Sequence, residues 1–547
     1  MRTSFAKWPA AMALGFVIGL VPAGALAGDE PDPGATDEGT EKRIEAVERK
    51  TAMDRISFTG EIRVATDTID GTQAAFFNGM TLQRGIVDSL FYVQTNGVFP
   101  APINPLDPQS IYQVLATNVG ANYADYLYFL NGLTFDGLKA TLATFTPAQQ
   151  QALMGLLLPG TAQAQRDYRN DIAYTTRLRL NMKAEVDEHF SFSGRLAMYK
   201  IWGDSTGVQV FNGQPNSIDF DGTTTSVPNS DVVRVDRAYF DWKNIGGSNW
   251  YLSLGRRPST GGPPLEIREN RLRGGTPLGH VVDFQFDGAT FGYTFKKMPG
   301  AIYRFCYGLG FESGFGSADQ LRAPADRLSD VHFGGLNLDL YASERMFLQA
   351  TVLRAWHVTD GFNGLVVMPF DPVTGIPAPG PAVLRFTPSA NLGNIDLGAI
   401  LMERQDGAFH YFVSLAGMKS HAENITTPFG GLFSDPFEAP RDHSASSLYA
   451  GARWDLLKGK SQVGVEYNHG SKYWFNFTHA ADDLVLSKLA TRGEVWEIYY
   501  NQALGPKVQF RLSALDYRYE YSGSGWHLGA PKRLDDMPIL GFPTYKD

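Results

Sequence analysis

The residues from Val235 to Arg257 form two alternating runs joined by a Gly-Gly turn, and that pattern restricts the chain to sheet structure with two unlike faces. In the first run Ala238, Phe240 and Trp242 share one face and Arg237, Tyr239 and Asp241 the other, because successive strand side chains point to opposite sides. The second run sets Trp250, Leu252 and Leu254 against Tyr251, Ser253 and Gly255. A hairpin with one apolar and one charged face fits a soluble sandwich or a membrane barrel. The barrel is favoured, since aromatics gather near the turn as in an interfacial girdle and the opposite face carries ions rather than core residues.

Arg237-Ala-Tyr-Phe-Asp-Trp242, the short turn and Tyr251-Leu-Ser-Leu-Gly-Arg-Arg257 resemble the strand pair that precedes the constriction loop of Gram-negative porins. The longer run, through Pro258-Ser-Thr-Gly-Gly-Pro-Pro264 and Asp287-Gly-Ala-Thr-Phe-Gly-Tyr-Thr-Phe295, is similar to a poorly characterised family of outer-membrane porins. The resemblance implies a channel-forming barrel in the outer membrane of a Gram-negative bacterium. It names no solute.

Arg2 and Lys7, the apolar run from Ala10 to Val21 and Ala25-Leu26-Ala27 before Gly28 read as a secretory signal over residues 1–27, too short for a spanning helix. Removing it takes the formal charge from -9 to -11, a balance that excludes nucleic acid as a partner. The longest later apolar run, Ala152 to Leu158, stops at Pro159, far short of the roughly 20 residues a bilayer helix needs. A mean hydropathy of -0.19 suits a barrel, whose lipid-facing and lumen-facing residues alternate. Cys306 is the one cysteine, so no intrachain disulfide and no covalent haem attachment is encoded.

Residues 28–55 read as a flexible Pro/Gly/acid-rich leader ending in a short helix, Glu41 to Arg55, either solvated or part of a homotrimer-forming coil. Residues 56–547 are expected to be the barrel. Its first strand, Ile56 to Thr66, is followed by a long interruption at 67–170. Thr146-Pro147-Ala148-Gln149 carries an N-cap, a first-turn Pro and a capping-box Gln, and Ser110 to Asn118 and Tyr123 to Leu133 also read as helices. This insertion is expected to be a lid or plug, or a cap that only packs on the rim.

Regular alternation resumes at Asp171, and later strands fall near 281–296, 301–311, 329–341, 345–357, 392–403, 408–419, 445–457, 460–470, 491–502 and 507–521. With Val281 to Lys296 as one strand bulged at Asp287-Gly288, long and short connections alternate throughout. That gives fifteen strands, and a return strand within Arg533 to Tyr545 would close sixteen. The expected fold class is therefore all-β: a transmembrane antiparallel β-barrel of about 16 strands, with about 14 to 18 allowed, a helical insertion in the first long loop and a short N-terminal helix.

Arg63, Arg177, Arg179, Lys183, Arg195, Arg237 and Arg257 are expected to line the pore from the first strands, and Asp283, Asp287, Asp339, Asp396, Asp455 and Glu466 from later ones. Facing walls of opposite sign would orient polar solutes, or the ions pair locally, as Glu61 with Arg63 and Asp241 with Arg237 would. By resemblance, Glu266, Arg268, Glu269, Arg271 and Arg273 belong to an inward-folded constriction loop. Arg257, Arg268 and Arg271 are its expected narrowest contacts, with anions or sugar acids slightly preferred.

No enzyme, cofactor or metal site is expected. Gly203-Asp-Ser205-Thr-Gly207 matches the nucleophile-elbow spacing, but extended chain rather than a helix follows. His410 and Ser414 share a strand face about 13 Å apart, beyond hydrogen-bond reach. The expected function is passive diffusion of small hydrophilic, in part anionic, solutes across outer-membrane lipid. The alternative is a barrel sleeve housing a partner such as a multihaem cytochrome for electron transfer. An outer-membrane hydrolase using Ser205 is a third.

Overall fold

The computed structural model describes residues 11–20, 42–44, 56–203, 227–228, 231–315, 321–361, 364–370, 377–386, 388–478, 482–525, 527–535 and 539–541; of 11–20, 364–370, 377–386 and 539–541 the backbone alone is described. Among the described residues sixteen antiparallel strands close into a barrel. They are β1 (Ala11–Leu20), β2 (Ile56–Gln73), β3 (Arg166–Glu185), β4 (Phe190–Ile201), β5 (Arg234–Trp242), β6 (Trp250–Arg256), β7 (Asp287–Thr294) and β8 (Ile302–Phe311). Then follow β9 (Val331–Ala342), β10 (Met346–Thr359), β11 (Asn391–Asp406), β12 (Phe409–Ala422), β13 (Ser444–Leu456), β14 (Ser461–Gly470), β15 (Gly493–Gly505) and β16 (Val508–Tyr519). Each strand pairs with the next, and β1 closes the ring between β2 and β16.

The outer face explains why these strands close rather than stack. Phe58, Ile172, Phe240, Trp250, Phe291, Phe305, Leu336, Val352, Ile400, Leu415, Trp454 and Ile498 are exposed on it. So continuous an apolar belt has no place in water and matches the lipid-facing band of a membrane barrel. Aromatic pairs mark both ends. Phe190 stacks on Trp242 at 5.6 Å and Trp250 on Phe291 at 4.6 Å beside the short turns, while Tyr174 stacks on Trp202 at 5.2 Å near the long loops. Among the described residues no helix is long and apolar enough to cross a membrane.

The β5–β6 turn works because Gly246 and Gly247 both take positive φ, at 60° and 72°. From β2 to β16 all short connections lie at that end of the barrel and all long ones at the other, while the 21–55 connection from β1 to β2 lies at the short-turn end. The strand expected over 281–296 begins only at Asp287. Val281–Phe286 remain in the preceding loop, where Val282 bridges Phe477 in parallel. The return strand expected within Arg533 to Tyr545 does not join the barrel either: Ile539–Gly541 pairs with Phe76–Asn78 in a small separate sheet. The sixteenth position is held by Ala11–Leu20, the apolar run read above as part of a secretory signal. Ten apolar residues in extended form satisfy the length of a spanning strand, about 9–11 residues, as well as that of a signal core.

The long β2–β3 connection is helical: α1 (Gly79–Asn96), α2 (Ser110–Ala121), α3 (Tyr123–Gly132), α4 (Phe135–Ala143) and α5 (Pro147–Leu157). Thr146 and Gln149 form the reciprocal capping box, with Pro147 at the first turn. Leu82, Ile86, Ile111, Leu115, Leu138, Leu153 and Leu157 make a core of their own, separate from the barrel interior. Contacts fix this bundle over the mouth: Lys139 Nζ donates to Thr426 Oγ1 at 3.0 Å, Gln83 donates to the Pro428 carbonyl, and Phe135 meets Phe437 at 6.0 Å. Those partners lie in the β12–β13 loop, several strands around the ring from the bundle's own attachment. The bundle therefore bridges the β2–β3 and β12–β13 loops at the long-loop end of the barrel. Of the leader helix expected over Glu41 to Arg55, only Lys42–Ile44 are described, and they are helical.

Candidate functional site: a lumen divided between an apolar fill and an ionic belt

Two long loops fold inward and decide what the lumen can do. The first, residues 257–286, crosses the barrel from β6. Its short helix α6 (Leu265–Glu269) reaches the far wall, where Arg268 Nη1 meets Glu497 on β15 at 3.1 Å and Arg453 on β13 donates to the Ile267 carbonyl at 2.9 Å. Arg271 turns back to Glu61 on β2 at 3.5 Å, and Arg273 reaches Glu403 on β11 at 3.1 Å while holding Glu266 at 2.7 Å. The loop is thus tied to four separated parts of the wall. The second, residues 471–492, supplies Trp474, Phe475, Phe477 and Leu489, all buried. These pack with Leu265, Leu278, Val281, Val282 and Phe284 of the first loop against Phe333, Leu397, Leu401, Phe412 and Tyr449 of the wall. Half of the lumen is accordingly filled by an apolar core.

His280 pins that half. It is fully buried, with Nδ1 2.9 Å from Ser414 Oγ on β12 and Nε2 2.9 Å from Ser447 Oγ on β13, and its carbonyl accepts from Asn476 Nδ2 at 2.8 Å. Burial pushes its imidazole down to about 3. His410, on the same strand as Ser414, bonds Asp455 at 3.0 Å.

The other half is ionic. Arg177 Nη2 meets Glu61 at 2.7 Å and Arg177 also pairs with Asp482 of the second loop, which Arg179 reaches at 3.2 Å. Lys488 sits between Glu466 and Glu497, at 2.5 Å from the latter, and Arg511 pairs with Glu497 as well. Burial works to raise the Glu269 carboxyl, but Arg271, Arg268 and Arg177 outweigh it and hold it at about 2. Burial likewise opposes ionisation of Asp482, and the arginines around it bring it well below the usual carboxylate range. Asp483 is different: burial pushes it up to about 6 against Arg268 and Lys488. A cavity of about 160 Å³ opens in this half, lined by Arg63, Asp67, Tyr199, Asp483 and Tyr517 among others.

The residues expected to line the pore divide accordingly. Arg63, Arg177, Arg179, Arg195, Arg237 and Arg257 face inward from adjacent positions, and Lys183 pairs with Glu185 at 2.5 Å near the short-turn rim. Asp339, Asp455 and Glu466 also face inward, bonded to Arg304, Arg453 and Tyr449 at 2.7, 3.0 and 2.6 Å. Three acids do not line the wall. Asp283 belongs to the first inner loop, where Oδ1 accepts from the Gly261 amide at 2.6 Å. Asp287 opens β7 on the outward phase and pairs with Arg256 at 3.2 Å. Asp396 also faces outward, bound to Arg354 and to His421 at 2.5 and 2.8 Å. On β11 the inward residues Ile395, Leu397, Ala399 and Leu401 are apolar because they pack on the inner loops, so the greasy face there is the inner one. The arginines of β3 also find counter-ions on the neighbouring strand and the inserted loops rather than on the opposite wall.

Sequence reasoning passed over Asp482, Lys488, Glu497 and Asp236. A register shift between Arg195 and Leu196 lets Asp236 turn inward beside Arg237 and pair with Arg195. The Asp482-Asp483 doublet between apolar stretches was the available signal for the second loop. Ser205 lies outside the described residues.

Residues 167–543 match the family described as "Protein of unknown function (DUF3373)". No curated protein matches the chain. Among solved structures, OmpT, an outer membrane protein of Vibrio cholerae, is similar at 11% identity and a TM-score of 0.34, over 66% of this chain and 87% of that one. Salmonella typhi OmpF in complex with daunomycin is similar at 11% identity and a TM-score of 0.30, over 64% and 92%. Likeness at those scores carries no inference about activity.

Proposed function

The chain belongs to the DUF3373 family, whose description assigns no activity, and we propose on the chemistry of its lumen that it is an outer-membrane porin for small hydrophilic solutes. The observation that carries this reading is the division of the interior: an apolar half sealed by two loops leaves the ionic half, with its 160 Å³ cavity, as the passage for water and polar solutes. Loops fixed to the wall at several points narrow such a passage without needing to move. An interior filled by the chain's own Trp474, Phe475 and Phe477 argues against the sleeve that would house a cytochrome.

Anion preference is expected to be weak, because Arg268 and Arg271 are neutralised by Glu497, Glu269 and Glu61. Purified protein in planar bilayers should conduct, and under a salt gradient Arg271→Ala should move the reversal potential towards cation selectivity, since Glu61 and Glu269 then lose a counter-charge. A wild type without conductance refutes the channel; an unmoved potential refutes the placement of Arg271 on the path.

A further inference from the structure

In the ionic half of the lumen most charges are answered by a neighbour. Arg177 and Arg179 hold Asp482, Lys488 and Arg511 hold Glu497, and Arg268 joins Glu497 to Asp483 at 3.1 and 3.8 Å. Three groups on the same cavity depart from that rule. Arg63 on β2 forms no ion pair and no hydrogen bond among the described residues, and its guanidinium rests over the ring of Tyr199 on β4, 5.2 Å from the centroid. Its Nε is enclosed, while the two Nη groups remain accessible. Asp67, which lines the cavity from the same strand, has no such partner among the described residues either, and neither has the Tyr199 hydroxyl.

Arg63 and Asp67 are four residues apart on one strand, about 13 Å between Cα atoms, and line one space without touching. That space is about 160 Å³ against the roughly 10–15 Å³ one water needs, so it admits a solute of about ten heavy atoms. Leu484, Val485 and Leu515 add apolar ground beside the polar groups. A half-buried cation and a half-buried carboxylate, each without a partner, both lose water without recovering an interaction. A solute carrying both charges offsets both costs. A lone anion or cation answers one and leaves the other.

We propose that this cavity binds a small zwitterion of the α-amino acid class with an aliphatic side chain. The carboxylate lies on the Nη groups of Arg63, the ammonium on Asp67, and the side chain against Leu484, Val485 and Leu515. A planar guanidinium gives a carboxylate two parallel N–H donors, and a carboxylate accepts the charge-assisted hydrogen bonds of an ammonium. The Tyr199 hydroxyl donates to the bound carboxylate from beside Arg63. The three polar groups stand on β2 and β4, on either side of β3, so they stay together whether or not β1 is retained.

The assignment rests on the porin reading for the role of the site, a resting place for a solute in transit, but its test reads binding. Isothermal titration calorimetry on the detergent-solubilised full chain at pH 8 compares L-valine with isovalerate, which lacks the ammonium, and isobutylamine, which lacks the carboxylate. L-Valine should bind at least about tenfold more tightly than either. Asp67→Asn should weaken valine binding about tenfold or more and leave isovalerate binding unchanged, and Arg63→Gln should weaken valine binding as much and leave isobutylamine binding unchanged. Absence of valine binding, an analogue that binds as tightly as valine, or an unchanged valine affinity in Asp67→Asn overturns the proposal; should the variants not fold, the three wild-type affinities decide. Conductance in planar bilayers is recorded on the same preparation. A protein that conducts without binding valine loses this site alone, and one that binds valine without conducting loses the porin reading alone.

Discussion

Two buried groups of the first inner loop titrate in opposite senses, and the difference is open to measurement. Burial pushes Asp283 up to about 7, against the Gly261 amide that donates to it. A carboxyl raised in the folded state contributes stability that is full below its unfolded value, about 3.9, and lost as pH climbs through about 7. His280 is lowered by burial to about 3, so its contribution is full above about 6.5 and lost as pH falls towards 3. Between about pH 4 and 6.5 the two changes cancel, so the thermal midpoint of the wild type should be level there and decline below about 4 and above about 6.5. Asp283→Asn keeps an acceptor for the Gly261 amide and removes the charge, so its midpoint should exceed that of the wild type by about 3 °C or more at pH 8 and converge with it at pH 4. A constant offset at both pH values would show that Asp283 does not titrate as its surroundings dictate.

At the scale of elements, the first inner loop depends on one close crossing. A Cβ on Gly262 would lie 1.8 Å from the Pro277 carbonyl oxygen, with backbone on both sides and no flexible group able to yield. Gly262→Ala should consequently push the two arms of the loop apart while leaving the strands intact. The expected result is unchanged far-ultraviolet dichroism with a larger single-channel conductance; equal conductance would mean that the loop does not set the narrowest section. The same scale shows what can be read along the chain and what cannot. Strands such as β13 and β14 follow local alternation, and the capping box at Thr146 is a local hydrogen-bond pattern, so both are legible in sequence. The loops are not. Val282 bridges Phe477, and Arg271 bonds Glu61, across nearly two hundred residues or more, and nothing in the intervening chain encodes those meetings. Once the loops fill half of the lumen, strands facing them turn apolar inward, which is why the face of Asp396 was misassigned while those of Arg177 and Arg179 were not.

For the molecule as a whole, the seam is the decisive feature. β2 and β16 both run from the short-turn end to the long-loop end, so they are parallel, and β1 makes each contact antiparallel by lying between them. If residues 1–27 are removed on export, as the sequence leads one to expect, β1 goes with them and fifteen strands remain. Backbone groups facing lipid cannot stay unpaired, since each would cost several kcal/mol. The expected consequence is direct closure of β2 on β16 as the single parallel pair of an odd-stranded barrel. Val64 and Phe510 both stand opposite Phe16, which places them two strand spacings apart, about 10 Å. A disulfide needs Cα atoms within about 7 Å. In a Cys306→Ser background, Val64→Cys with Phe510→Cys, scanned two residues either way along β16, should cross-link in protein taken from membranes once N-terminal sequencing shows the leader removed. Absence of a cross-link at every register would mean that another strand occupies the seam, and the barrel would have to be completed by something other than its own two edges.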